Sequence, residues 1–361
     1  MENKYFDVKT SIFLDILRFL AAIVVFLVHI YEVFLPDGEY FKTLSNLAHG
    51  AVVVFFVLSG YVITFSITLK KRNFTEYISA RFSRLYSIFL PAILLTIICS
   101  IIIFKINTSV YDEYNRGFEL IRYLLSIFFL NEFWFFSASP PINMPMWSLG
   151  YEFWFYIIFG SFFYKKSGFK GWYFPLLLSI FIGPKVLLMM VIWIFGYFSY
   201  KLPKLKISNN KSFIFSIIFL LISLYMVFYL RSIPFELGSK PLFYSAQFIK
   251  DYFVGFLIAI SIWFLPLSNN PKNGNETELI LQKKARTIGD LTFSIYILHK
   301  PIIILCSAVF PISFDINYKL LLSFLITITI CVILGLFLES KKNIWKLFFD
   351  KSIYKLKSFF K

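Results

Sequence analysis

The chain has 361 residues, of which 58% are hydrophobic, 21% aromatic and 16% charged, and its mean hydropathy is +0.73. Soluble globular domains are about half apolar and about a quarter charged, so the composition excludes that class, along with disordered chains and secreted disulfide scaffolds. The net charge of +16 would suit a nucleic-acid partner. The charges lie between apolar runs of membrane-spanning length, however, so we interpret them as a topology signal and expect no nucleic-acid partner.

Apolar runs close to 20 residues long, the length that crosses a bilayer as a helix, recur along the whole chain. They predict an all-α, polytopic transmembrane helix bundle with about ten spanning helices. The predicted spans are 12–35, 47–69, 85–104, 146–164, 172–182, 186–200, 212–230, 248–267, 289–310 and 318–338. The fifth and sixth are short and are separated by Gly183-Pro184, which predicts a tight hairpin or one broken helix.

Lysine and arginine indicate the orientation, because short cytoplasmic loops carry the excess of positive charge. The loops alternate between basic and poorly charged if 121–136 does not cross, so we predict a re-entrant or interfacial segment there, on the outer side. Both termini of the chain then lie in the cytoplasm, with residues 1–338 as the membrane-embedded domain and 339–361 as the tail. The abundance of lysine, isoleucine and phenylalanine indicates an AT-rich bacterial genome, so we expect a multi-pass protein of a bacterial plasma membrane. The segment 268–288 is predicted to be a polar cytoplasmic loop.

The tail, 339–361, alternates lysine with apolar residues at helical spacing. This pattern favours a basic amphipathic helix on the anionic cytoplasmic leaflet over a frayed, solvated end.

The first predicted span contains three residues that are costly in a bilayer: Asp15, Arg18 and His29. A charge at the bilayer centre costs about 2.5 kcal/mol or more, so each needs a reason. Arg18 and His29 share a helix face, and Asp15 lies one turn from Arg18 and can pair with it. Two interpretations remain: a catalytic stripe, or an ion pair near the cytoplasmic end with a histidine satisfied in the bundle core.

Two further stretches carry polar side chains on one helix face. Ser148 and Glu152 are four residues apart, and Glu152 is predicted to lie at the depth of His29, where a carboxylate that holds one ring nitrogen makes the other a better base. The alternative is an interfacial glutamate without a role. Arg81 and Arg84 open the third span, where their planar forks suit phosphate, although any cytoplasmic helix end collects arginine.

The ninth span places His299 near its middle, followed by Lys300 and Pro301. The proline removes a backbone hydrogen bond and predicts a kink, so His299 is expected to line a site. His49, at the outer start of the second span, is expected at the membrane interface.

Five motifs in this order resemble those of the acyltransferase-3 family of membrane O-acyltransferases. They are LDILRFLAAIVVFLVH with Arg18 and His29, FFVLSGYVIT at 55–64, RFSRLY at 81–86, MWSLGYEFWFY with Glu152, and SIYILHKP with His299. The matches run from residue 14 to about 302. Val53 and Phe153 stand where many members of the family carry acidic residues.

The resemblance implies transfer of an acyl group, usually acetyl from acetyl-CoA and without a metal, to a hydroxyl of a cell-surface glycan or a polyprenol-linked saccharide. The residues it implies are His29, Glu152 and Arg18 for catalysis, Arg81, Arg84 and Arg18 for the donor, and Asp15, Ser59, Trp147, Ser148 and His299 for the substrate cavity. A succinyl donor, a flippase for a lipid-linked glycan and a catalytically silent scaffold are the alternatives, and the oligomeric state stays open.

Overall fold

A computed structural model describes residues 5–36, 40–270 and 274–359, and these form a helical bundle with one short two-stranded sheet. The helices in this part of the chain are Val8–Phe34 (α1), Phe41–Lys70 (α2), Phe74–Ile106 (α3), Thr108–Tyr114 (α4), Glu119–Ile127 (α5), Trp147–Phe163 (α6), Tyr173–Ile182 (α7), Pro184–Lys201 (α8), Asn209–Tyr229 (α9), Phe248–Phe264 (α10), Glu276–Val309 (α11), Ile316–Ser340 (α12) and Lys342–Phe359 (α13). The strands Tyr5–Phe6 (β1) and Leu267–Ser268 (β2) pair antiparallel. The predicted all-α membrane bundle is confirmed.

The predicted number of ten spans is too high. Within the described residues, six helices are long and apolar enough to cross a membrane, namely α1, α2, α3, α9, α11 and α12. A seventh span results if α7 and α8, bent by 119° at their junction, count as one. Gly183 at that junction has a φ of +93°, a backbone conformation that favours glycine. The predicted spans 146–164 and 248–267 form helices of only 17 residues, at the short end of spanning lengths.

Capping boxes determine where two of the long helices begin. The Asn73 side chain accepts a hydrogen bond from the Glu76 backbone N–H, and the Glu76 carboxylate accepts one from the Asn73 N–H, so α3 starts at Phe74. Asn275 and Glu278 make the same reciprocal pair at the start of α11. The prediction of a loop over 268–288 is therefore wrong from Glu276 onward.

The segment 121–136 contains most of α5, a helix of nine residues, followed by turns. This length is too short to span a bilayer, as predicted. The backbone N–H of Trp134 donates to the Ile182 carbonyl (3.0 Å), and its indole N–H donates to that of Phe181 (2.9 Å). These bonds tie the segment to the end of α7.

A buried ion pair fixes the same segment to the start of α8. Lys185 Nζ lies 2.6 Å from Glu132 Oε2, and both side chains are almost fully buried. Lys185 also donates to the Phe136 carbonyl, and Ser137 donates to the Glu132 carboxylate. Burial raises the pKa of Glu132 to about 7 even with the lysine beside it.

The chain divides into two units, which are described separately. The first unit comprises Met1–Val25, Lys42–Lys71 and Leu187–Thr292. Its helices α2 and α8 cross so closely that a Cβ at Gly60 would lie 2.0 Å from the Trp193 carbonyl oxygen, and one at Gly196 2.0 Å from that of Val57. Small residues at this crossing are what bring the two backbones together.

The second unit comprises Phe26–Phe41, Arg72–Val186 and Phe293–Lys361. Part of its core is an apolar cluster from α3, α11 and the loop before α6, made of Cys99, Ile103, Ile142 and Ile304. Helix α13 packs on the start of α3, where Phe349 contacts the rings of Phe82 and Tyr86, and Ser79 donates to Asp350. The final residues 360–361 of the predicted tail lie outside the described part.

Candidate active site

Two histidines from different helices of the second unit are hydrogen-bonded to each other. Nδ1 of His29, on α1, lies 2.7 Å from Nε2 of His299, on α11, and the rings are nearly parallel with centroids 5.0 Å apart. His299 is fully buried, whereas the His29 side chain keeps 16% of its surface exposed. The structure therefore places His299, which was expected to line a site, in direct contact with His29.

The hydrogen bonds determine which nitrogen of each ring carries the proton. His299 Nδ1 lies 2.9 Å from the Ile295 carbonyl oxygen, which only accepts, so this nitrogen is the donor. A fully buried imidazole is neutral because burying an unpaired charge is costly, and Nε2 of His299 is then an acceptor. His29 consequently donates from Nδ1, and its Nε2 carries a free lone pair. This tautomer is the one that a general base requires.

A carboxylate and a lysine lie beside that free nitrogen. Glu32, one turn after His29 on α1, places Oε2 3.7 Å from His29 Nε2, too far for a hydrogen bond. The same oxygen accepts from Lys300 Nζ at 3.2 Å. Sequence reasoning missed this pair, although the spacing of Glu32 from His29 puts both on one helix face.

Ser148 contacts a tyrosine of α11 that lies one turn from His299. The Ser148 hydroxyl lies 2.7 Å from the Tyr296 hydroxyl, so one of the two donates to the other, and both oxygens are within hydrogen-bonding distance of the Pro145 carbonyl oxygen. Tyr296 is one turn before His299, with ring centroids 6.3 Å apart. Trp147 is buried and packs edge-on against Tyr151. Ser148 is thus joined to the helix that carries His299.

Glu152 does not contact His29. Among the described residues, the polar partners of the His29 ring are His299 and Glu32. Glu152, on α6, instead accepts a hydrogen bond from Tyr156 of its own helix. The contact expected between Glu152 and His29 is thus not among the hydrogen bonds of the described residues, because a similar expected depth in the membrane does not specify which helix faces meet.

The paired arginines differ in their surroundings. Arg81 is largely enclosed, and its Nε is buried without a hydrogen-bond partner among the described residues. Arg84 is exposed on the next turn of α3. A buried guanidinium N–H without a partner is costly unless a ligand supplies an acceptor, which suits a phosphate oxygen.

The predicted site residues of the first unit form two local contacts. Arg18 Nη2 lies 2.6 Å from Asp15 Oδ1, as expected from their spacing. A Cβ at Gly289 would lie 2.8 Å from that oxygen, so a larger residue at this position would require the side chains of the pair to shift. Ser59 accepts from the indole N–H of Trp193 at 3.2 Å.

His49, expected at the membrane interface, is buried inside the first unit. Its Nε2 lies 2.9 Å from Asp251 Oδ2, and both side chains are 3% exposed. Gln247 donates to the other oxygen of Asp251 at 3.2 Å. This contact was not predicted, because the partners are 202 residues apart in the chain.

Comparison with known proteins gives the chain its family. The sequence profile Acyl_transf_3, described as an acyltransferase domain, matches residues 11–337. The chain belongs to the acyltransferase-3 family. The match includes both histidines, the arginine pair of α3 and Glu152. The acyltransferase-3 domain and the apolar helices together make this a multi-pass membrane protein of an acyltransferase family.

A curated relative supports the same assignment over part of the chain. The acyltransferase MdmB of Streptomyces mycarofaciens is 33% identical over 151 residues, which are 40% of this chain and 36% of that protein. The aligned stretch thus spans little more than a third of the relative. A search of solved structures found no match.

Proposed function

We propose that the protein is a membrane-bound O-acyltransferase that moves an acyl group, acetyl in our proposal, from acyl-CoA to a hydroxyl of a cell-surface polysaccharide or its lipid-linked precursor. The observation that carries the proposal is the contact between His29 Nδ1 and His299 Nε2, from which we infer the His29 tautomer with a free Nε2 lone pair. A base placed this way activates a hydroxyl, which is a weak nucleophile without help.

The proposed reaction transfers one proton and one acyl group. His29 Nε2 takes the proton of the acceptor hydroxyl while the oxygen attacks the thioester carbonyl and forms a C–O bond. The C–S bond then breaks, and the CoA sulfur leaves as a thiolate that receives the proton from His29. Glu32, beside Nε2, stabilises the imidazolium that exists between the two proton transfers.

The donor is assigned to the start of α3. Arg81 offers a buried N–H without a partner, and Arg84 offers an exposed guanidinium one turn away. Both suit the phosphates of CoA, and the excess of Lys and Arg in alternate loops supports a cytoplasmic position for this end of the helix. The roles of Arg18, Glu152 and the first-unit residues stay predictions.

The decisive experiment measures label transfer from radiolabelled acetyl-CoA into base-labile esters in native membranes. We expect His29→Ala to lower transfer by about a hundredfold or more, since general-base catalysis contributes about 10²–10⁴. Labelled succinyl-CoA run in parallel distinguishes the acyl group. Full transfer by His29→Ala at a normal protein level would refute the mechanism.

A further inference from the structure

We propose that Glu32 and His29 together form a two-point binding site for a vicinal diol in the acceptor. His29 receives the hydroxyl that becomes acylated, and Glu32 receives the hydroxyl on the neighbouring carbon. This inference rests on the proposed function for the fate of the first hydroxyl, and it adds the chemical class that the site selects.

The argument begins with two hydrogen-bond acceptors that face each other. His29 Nε2 is an acceptor because Nδ1 carries the proton, and the Glu32 carboxylate already accepts a hydrogen bond from Lys300 Nζ. The two atoms are 3.7 Å apart, so neither satisfies the other. A ligand bound here must therefore bring donors.

The separation selects the kind of ligand. The distance between the two acceptors is shorter than the length of two hydrogen bonds. A ligand that binds both must therefore carry its two donors on adjacent atoms or be a very small molecule. A vicinal diol meets that demand, because its two hydroxyls lie on adjacent carbons and each supplies one O–H. A single hydroxyl has only one O–H and leaves one acceptor unpaired.

Charge distinguishes a diol from an ammonium group. An ammonium also carries several donors, but the Lys300 Nζ, 3.2 Å from Glu32, already neutralises the carboxylate. A second cation would be repelled at short range in a site of low dielectric. The pair of Glu32 and Lys300 thus favours a neutral polyol over an amine.

Burial is also consistent with a ligand at these two atoms. The side chains of His29 and Glu32 are each 16% exposed, whereas Lys300 is 7% exposed and His299 is fully buried. The exposed edge of the cluster is therefore the acceptor pair, and its supporting residues lie behind it.

The test measures how diols protect His29 from diethyl pyrocarbonate, which acylates unprotonated imidazole. The full-length protein in lipid nanodiscs is treated with the reagent, and mass spectrometry of peptides gives the rate of modification at His29. The probes are cis- and trans-cyclohexane-1,2-diol, cyclohexane-1,3-diol and cyclohexanol. We expect at least one of the 1,2-diols to protect His29 at about tenfold lower concentration than cyclohexane-1,3-diol or cyclohexanol. This factor corresponds to the loss of one hydrogen bond to a charged group.

Variants of the pair make the test specific. In Glu32→Gln the preference for the 1,2-diol should disappear. The double variant Glu32→Gln/Lys300→Met should also lose this preference, and it does not leave a buried lysine without its carboxylate. Glu339→Gln, which removes a carboxylate at the end of α12, should keep the preference. Equal protection by all probes, or an unchanged preference in both Glu32 variants, would overturn the diol site.

The result is separable from the acyltransferase proposal. Preference for the 1,2-diol without His29-dependent label transfer supports the binding site and refutes the reaction. His29-dependent transfer without that preference supports the reaction and refutes the binding site.

Discussion

Replacing His299 by phenylalanine should slow acyl transfer without unfolding the protein. Phenylalanine keeps a planar ring parallel to His29, where the present centroids are 5.0 Å apart, but it offers no acceptor to His29 Nδ1. The N–H of His29 then loses its partner in an enclosed site. The His29 ring avoids an unpaired N–H if its proton moves from Nδ1 to Nε2. Nε2 can then no longer act as the base for the acceptor hydroxyl.

The size of the effect follows from the hydrogen bond that is removed. A buried donor left without a partner costs about 1–3 kcal/mol, which shifts the tautomer equilibrium by about five- to a hundredfold. We expect kcat to fall by that factor, with the KM for acyl-CoA little changed because the arginines that we assign to the donor lie on α3. His299→Gln, whose amide oxygen can accept from Nδ1, should recover most of the rate.

The assay is initial-rate label transfer in membranes that contain equal amounts of each protein, with gel filtration in detergent as the check on folding. A His299→Phe protein that is folded and transfers at the wild-type rate would refute the tautomer argument. Equal losses in the Phe and Gln variants would also count against it, because they would indicate a packing role for the imidazole.

Three further predictions concern other parts of the molecule. Arg81→Gln should raise the KM for acyl-CoA by about tenfold, since it removes charge-assisted contacts to phosphate, while kcat at saturation changes less. Gly196→Ala should lower the melting temperature in detergent, because its Cβ would lie 2.0 Å from the Val57 carbonyl and separating the helices costs about 1–3 kcal/mol. Burial raises the pKa of Glu132 from 4.5 to about 7, so its protonated form is favoured by folding and its contribution to stability is complete below about pH 4.5 and lost as the pH rises through about 7. Glu132→Gln should remove that decline, up to about 3 kcal/mol, from melting curves recorded between pH 5 and 8.

Much of the histidine site was predictable because a bilayer makes polar residues conspicuous. His29 and His299 stand out within apolar runs, and Asp15 pairs with Arg18 as helical spacing requires. The contact between the two histidines was not predictable, since spacing along one helix says nothing about the rotation of another. The same limit applies to Glu152, which was expected beside His29 and accepts a hydrogen bond from Tyr156 of its own helix.

The predicted number of spans was wrong for a different physical reason. Hydropathy measures length and composition, and several segments of this chain are apolar because they are buried in protein. Helices α6 and α10 have 17 residues, and the start of α8 is held by the buried pair of Lys185 and Glu132. Capping residues such as Asn275 and Glu278 were visible in the sequence and would have corrected the boundary of α11.

The two histidine clusters show why chemistry is assigned to one of them. His49 and Asp251 are both 3% exposed, and their facing atoms are hydrogen-bonded at 2.9 Å, with Gln247 on the remaining carboxylate oxygen. That arrangement is closed, because donors and acceptors meet within the protein. His29 Nε2 and Glu32 Oε2 instead present two acceptors at 3.7 Å on a partly exposed edge. Unmet hydrogen-bonding capacity inside a membrane protein is costly, so an arrangement that keeps it is best explained by a ligand that supplies the missing donors.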